Sequence, residues 1–198
     1  MKIFLATLFL FFSQLAVAQA PRVGREAAAS YFERQPASGA SRFLGLHLGR
    51  YISGQAWEWG ASGLREDGVG NYTLGVTYRL DEWNDSIDQS IRVDFNEYEV
   101  AADKPFKMSV LGLWTFPNAN SRFPLYFGGA AGFGVYFKQL KDKSPLSIDY
   151  QLLMGARFFD VFGNGGFFIE TGLKNHLHIL SQGQFNGTFL SAGGLFTF

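Results

Sequence analysis

The chain has no cysteine in its 198 residues, so neither a disulfide framework nor thiolate chemistry is open to it. Net charge is absent too. Its 17 Lys and Arg offset 17 Asp and Glu, and nothing in that balance draws the chain toward a polyanion such as nucleic acid. Beyond the first residues there is no apolar run long enough for a transmembrane helix. Mean hydropathy is only +0.01 although 47% of residues are apolar, so apolar and polar residues must be finely interleaved. What is abundant is glycine (24), phenylalanine (22) and tyrosine (8), a composition suited to strands and tight corners.

The length suits one folded domain. Residues 1–18 read as an export signal. Lys2 supplies the positive start, residues 3–12 the apolar stretch, and Ala16-Val17-Ala18 a small-residue cleavage site before Gln19. Ser13 and Gln14 interrupt the run short of the ~18–20 residues a spanning helix needs. Residues 19–41 form a separate lead-in. Good helix formers fill 25–34, where Ala28, Tyr31 and Phe32 share one face, and Pro36, Ser38 and Gly39 end the pattern. A lone helix of that length is marginal, so a short, frayed periplasmic segment with some helical character is expected.

From Arg42 the period becomes two. Eight strands are predicted, at about 42–53, 70–82, 88–100, 106–116, 123–137, 146–159, 166–178 and 185–198. Side chains alternate between the two faces of a strand, and here one face is apolar throughout. It carries Leu44, Leu46 and Leu48 in the first strand and Phe127, Phe133 and Phe137 in the fifth. The other faces collect Arg79, Asp81, Arg92, Asp94, Asp149, Arg157, Glu170 and Lys174 with small residues.

The last strand ends Ser191-x-Gly193-x-x-Phe196-x-Phe198 with nothing after it. This pattern resembles the C-terminal assembly signal of small bacterial outer-membrane β-barrels. The resemblance implies an all-β fold, an eight-stranded antiparallel up-and-down transmembrane barrel over 42–198, and insertion by the β-barrel assembly machinery. A soluble barrel of the lipocalin type would reverse the two faces, with a dry inside and a polar outside. The export signal and the rows of outward phenylalanines favour lipid outside and a compensated charge network inside. The expected location is the outer membrane, with the signal removed after Ala18.

Even-stranded topology sorts the connections. Those at 83–87, 117–122 and 160–165 are short and periplasmic, whereas 54–69 is the longest and faces outward. The outward connection near 138–145 carries Lys138, Lys141 and Lys143, suited to lipopolysaccharide phosphates by charge, or simply a solvated loop. Trp57 and Trp59 are expected at the outer rim, the depth that tryptophan prefers.

Reactive candidates are few. His176, His178 and Asp149 point inward near one height and would suit a base or a metal ligand, yet buried ion networks produce the same arrangement. His47 has no nucleophile at its height. The run from His176 to Ser181 loosely resembles the His-x-Ser-Asn stretch of outer-membrane lipid A deacylases. Ser181 falls on the opposite face from both histidines, so the catalytic residues of that family do not carry over. No catalytic residue, metal or cofactor is therefore assigned. An eight-stranded barrel has room inside only for side chains, and Arg92, Arg157, Tyr126 and Tyr136 should fill it. The reading is a structural or interaction protein; an enzyme acting on lipid A or phospholipid is the alternative, and a narrow solute or ion pore the third.

Charge pairing also predicts register. A two-residue loop at Gly163-Asn164 would face Arg157 with Glu170 and Asp149 with His178. In the hairpin of the second and third predicted strands, Arg79 would face Asp94 and Asp81 would face Arg92.

Overall fold

The computed structural model describes residues 42–57, 65–100, 104–121, 123–138 and 143–198. The export signal, the lead-in over 19–41, Trp59 and Lys141 lie outside the described residues. The strands are β1 (Phe43–Trp57), β2 (Arg65–Asp67), β3 (Gly70–Trp83), β4 (Ile87–Tyr98), β5 (Phe106–Phe116), β6 (Leu125–Lys138), β7 (Leu146–Phe162), β8 (Gly165–His178) and β9 (Gln184–Thr197). Neighbours pair antiparallel in chain order, and β9 returns to β1 from Phe43↔Thr197 to Trp57↔Gln184. The sheet therefore closes on itself. β2 and β3 lie along the same side of β1, beside its end and its beginning respectively. Together they make one stave, so the barrel has the eight predicted staves.

Closure requires a stagger. From Leu46 the hydrogen-bonded partners run through Val76, Val93, Val110, Phe133, Ile148, Leu177 and Gln184, and return to β1 at Trp57, eleven residues along. One of those residues is the irregularity between Tyr51 and Ser53.

The faces separate as alternation predicts. Leu48 (62% exposed), Phe127 (58%) and Phe133 (68%) point outward, whereas Arg92 (1%) and Lys107 (0%) are buried inside. Water does not tolerate apolar rows of that extent on a monomer, and hydrocarbon does. One end of the barrel carries the tight turns at 84–86 and 163–164, the connection after β5 and the chain end at Phe198. We call it the turn end, and the opposite one the loop end.

Both predicted registers are overturned. The Gly163-Asn164 loop is present, with Phe162 opposite Gly165 and Gly163 at φ 68°. Between Phe158 and Phe162, however, β7 carries an irregularity with Asp160 at φ 54°, and the pairing slips by two. Glu170 then faces Gly155, Arg157 faces Phe168, and Asp149 faces His176 in place of His178. In the β3–β4 hairpin, Asn84 and Asp85 both adopt positive φ, a conformation their short polar side chains tolerate. Trp83 pairs with Ile87, a second slip follows at Arg79–Asp81, and Thr77 faces Arg92 while Gly75 faces Asp94. Arg79 faces Ser90. That slip also turns Asp81 outward to an exposed position at the turn end, so it does not belong to the lumen charges. The longest predicted connection, 54–69, is partly strand, because β1 runs on to Trp57 and pairs there with β2.

Candidate functional site: the charged lumen

The register was mispredicted because opposite charges meet across the lumen, not across one hairpin. β4 is the common partner. It places Asp88, Ser90, Arg92, Asp94 and Asn96 inward in one alternating row, all buried.

At mid-height Arg92 makes a two-pronged pair with Glu170 of β8, Nη1 to Oε1 at 2.7 Å and Nη2 to Oε2 at 2.8 Å. Its Nε donates to Thr77 Oγ1 at 2.9 Å, and Tyr126 Oη donates to Glu170 Oε2 at 2.9 Å. The planar fork of arginine matches a carboxylate in this way. One step toward the loop end, Lys174 donates to Asp94 Oδ2 (2.8 Å) and Thr73 Oγ1 (2.9 Å), and Gln151 Nε2 donates to the same Asp94 oxygen at 2.7 Å. His47 Nε2 faces Asp94 Oδ1 at 3.3 Å without hydrogen-bond alignment. Lys174 also sits 4.7 Å from the Phe189 ring centroid.

Nearer the loop end Lys107 of β5 donates to Asp149 of β7. Its Nζ lies 2.6 Å from His176 Nδ1, which is 3.0 Å from Asp149 Oδ1. Ser147 Oγ donates to the same carboxylate oxygen at 2.7 Å. β6 separates β5 from β7, and the contact is possible because β6 presents glycine there. A Cβ on Gly134 would collide with Lys107 and Asp149, and one on Gly75 with His47 and Asp94. These two glycines leave the space the ion clusters occupy.

An aromatic layer covers this cluster at the loop end. Tyr51 Oη contacts His176 Nε2 at 3.2 Å and Tyr98 Oη at 3.0 Å. Tyr98 stacks on Phe185 (4.7 Å between centroids) and His178 on Tyr136 (5.3 Å). His178 therefore belongs to the aromatic layer, one step beyond Asp149. Ser181 lies outside the strands and its Oγ accepts from the Ser144 amide at 2.9 Å.

The turn end is built from different material. Arg79 Nε donates to Asp88 Oδ1 at 2.6 Å, Arg157 Nη2 lies 2.9 Å from Asp88 Oδ2, and Arg79 also reaches Glu82 at 2.7 Å. Asn118 donates to Glu82. Between this group and the Arg92–Glu170 pair lies a cavity of ≈ 30 Å³, lined among others by Thr77, Ser90, Thr115, Tyr126 and Arg157.

The structure places Arg79, Arg92, Asp94, Asp149, Arg157, Glu170, Lys174, His176 and His178 in the lumen and turns Asp81 outward. Sequence reasoning missed Asp88, Glu82, Tyr51 and Tyr98 as members. Carrying the inward alternation of β4 two more steps, from Arg92 through Ser90 to Asp88, would have found the first. Of the assembly-signal positions, Ser191 is buried inside, Phe196 and Phe198 point outward, and Phe198 lies 6.2 Å from the Tyr78 ring. Of the loop lysines, Lys138 is exposed, and Lys143 Nζ donates to the Gln182 carbonyl at 3.0 Å. Trp57 is half-buried at the end of β1 and its Nε1 donates to Gln55. Among the described residues no group of three His, Cys, Asp or Glu is placed to hold a metal.

No family model matches the chain, and no curated protein matches it. Among solved structures it is similar to the N-terminal β-barrel domain of Pseudomonas aeruginosa OprF, with a TM-score of 0.47 and 12% identity. The match covers 79% of this chain and 98% of that one.

Proposed function

We propose that this protein is a small integral outer-membrane barrel with a structural or interaction role, its turn end in the periplasm and its loop end outside, and its lumen sealed. The observation that carries this reading is the opposition of the two faces. The outside carries an apolar row on every stave, while the inside holds ionisable groups in contact with partners of opposite sign. Such a layout suits lipid around the wall and no water column within it. Short turns and the Phe198 terminus at one end support the periplasmic assignment of that end. The export signal supports delivery there, and the Ser191–Phe198 pattern supports insertion by the barrel assembly machinery. Lys138, Lys141 and Lys143 would then face lipopolysaccharide phosphates.

An enzymatic role for His176 and Asp149 is disfavoured by their place. Both are wholly buried, beneath the aromatic layer, where no acyl chain reaches them. The test is fractionation followed by gel electrophoresis. The protein should stay with the outer membrane and run faster unboiled than boiled, and purified protein in planar bilayers should show no steady conductance. Recovery as a soluble periplasmic protein would overturn the reading. Mass spectrometry of lipid A from cells with and without the protein separates the enzyme, which would change the acyl pattern, from the interaction protein, which would not.

A further inference from the structure

The apolar exterior is not the same height all round. On β6 it runs unbroken in type from Leu125 to Phe137, through Phe127, Phe133 and Val135. At ~3.3 Å per residue and a tilt of about 40° that is roughly 30 Å of height. On β9 the outward row begins at Phe198 and reaches only Leu190, roughly 20 Å, because Thr188 and Asn186 follow. On the neighbouring staves polar residues interrupt the outward row beyond this level, with exposed Ile52 of β1 and Leu173 of β8 interspersed among them. One hydrogen-bonded row around the wall reads Met154, Thr171, Leu190, Arg50, Tyr72. The next holds Leu152, Leu173, Thr188 and Ser53. A third, nearer the loop end, reads Tyr150, Asn175, Asn186, Gln55, Asp67. Four consecutive staves therefore place amides, hydroxyls, one arginine and, at the edge, the Asp67 carboxylate outward at levels where β5, β6 and β7 present Met108, Val135, Phe133 and Ile148.

Arg50 is the informative member. It is exposed, its guanidinium carbon lies 5.8 Å from the Tyr72 ring centroid, and no carboxylate among the described residues is within ion-pair distance. A cation on the lipid face is costly near the bilayer midplane and cheaper toward the interface. A polar head that descends into the notch removes most of that cost, because the shortened apolar wall no longer holds the head groups at full height. The chemistry of the notch specifies the head. Arginine suits a phosphate, and a ladder of Asn175, Asn186, Gln55, Thr188 and Ser53 suits sugar hydroxyls, which both donate and accept.

We propose that the notch formed by Arg50, Ser53, Gln55, Asn175, Asn186 and Thr188 binds a phosphorylated glycolipid of the outer leaflet. This rests on the membrane reading above. The side is set by the loop end, toward which the notch opens.

The test uses the mature protein reconstituted in nanodiscs containing either lipid A or phosphatidylglycerol in phosphatidylcholine, with native mass spectrometry of the released protein. The wild type should retain lipid A, and Arg50→Gln should retain it roughly tenfold less, as expected for loss of one charge-assisted contact. Asn186→Leu should lower lipid A retention as well, while leaving phosphatidylglycerol unchanged. The unboiled gel shift of each variant shows that it is folded. Insertion with equal lipid A retention in wild type and Arg50→Gln overturns the glycolipid site alone. Equal retention of phosphatidylglycerol and lipid A by the wild type also overturns it, as does a cross-linked dimer through Ser53→Cys that excludes lipid. Failure to insert at all overturns both this proposal and the membrane reading.

Discussion

The two halves of the lumen solve one problem by different means. Toward the loop end, Lys107, Asp149 and His176 sit beneath Tyr51, Tyr98, Tyr136 and Phe185, all of them buried. Toward the turn end, Asp88 is shared by Arg79 and Arg157, Glu82 remains 20% exposed, and a cavity separates the group from the next layer. In the first half the ion pair is surrounded by buried side chains, so it has strong local partners and little nearby to replace one that is lost. The second keeps a route to solvent, so its charges can be rehydrated. The number of ion pairs in each half therefore does not set how far it depends on them.

The largest expected effect therefore comes from the loop-end half. Asp149→Ala strands Lys107 among aromatic rings and should cost about 3–5 kcal/mol, read as a lowered urea midpoint for the protein folded in lipid vesicles. Asp88→Ala, whose arginines retain Glu82, Thr115 and the Pro117 carbonyl, should cost roughly half as much. Equal losses would erase the distinction between the halves.

Gly134→Ala comes next, because its methyl group would occupy the place where Lys107 meets Asp149. We expect a loss of about 1–3 kcal/mol from overpacking. Gly129→Ala on the lipid face of the same strand, where a Cβ meets only ordinary contacts at 3.7 Å and beyond, serves as the control and should be close to neutral. A neutral Gly134→Ala would mean that the cluster is not closely filled.

A smaller effect on stability is expected at the terminus. Phe198→Ala should lower the amount of assembled protein with little change in the urea midpoint, since Phe198 is 64% exposed. Phe189→Ala, wholly buried beside Lys174, should reverse that order, lowering the midpoint more than the yield. Matching behaviour of the two would reduce the C-terminus to an ordinary strand. The least effect belongs to Asp81→Asn, which should leave the midpoint unchanged; a substantial loss would place that carboxylate back inside.

The fold was legible because alternation is a local property. Whether Phe133 or Gly134 faces lipid follows from counting by two, and so does the inward row from Asp88 to Asn96. Register was not legible for two reasons. The slip at Asp160 and the one after Arg79 depend on backbone conformations that leave little trace in composition. The pairing argument also assumed that Arg157 would seek its partner on the adjacent strand. In a lumen this narrow, Arg157 reaches Asp88 of β4 and Glu170 reaches Arg92 of β4 as readily as any neighbour in the hairpin. The aromatic layer was overlooked because alternation puts Tyr51 and Tyr98 inward one strand at a time, and their convergence with Phe185 exists only after closure.

That closure has a kinetic consequence. The seam joins Phe43 to Thr197, and every other stave lies between them in the chain. Loops of that span close slowly, and until they do both outer strands present unpaired amides and carbonyls. Until the seam forms, the barrel is an open sheet with two exposed edges. A helper that holds the edge strands until the last rung forms would raise the yield of folded barrel without altering its final stability.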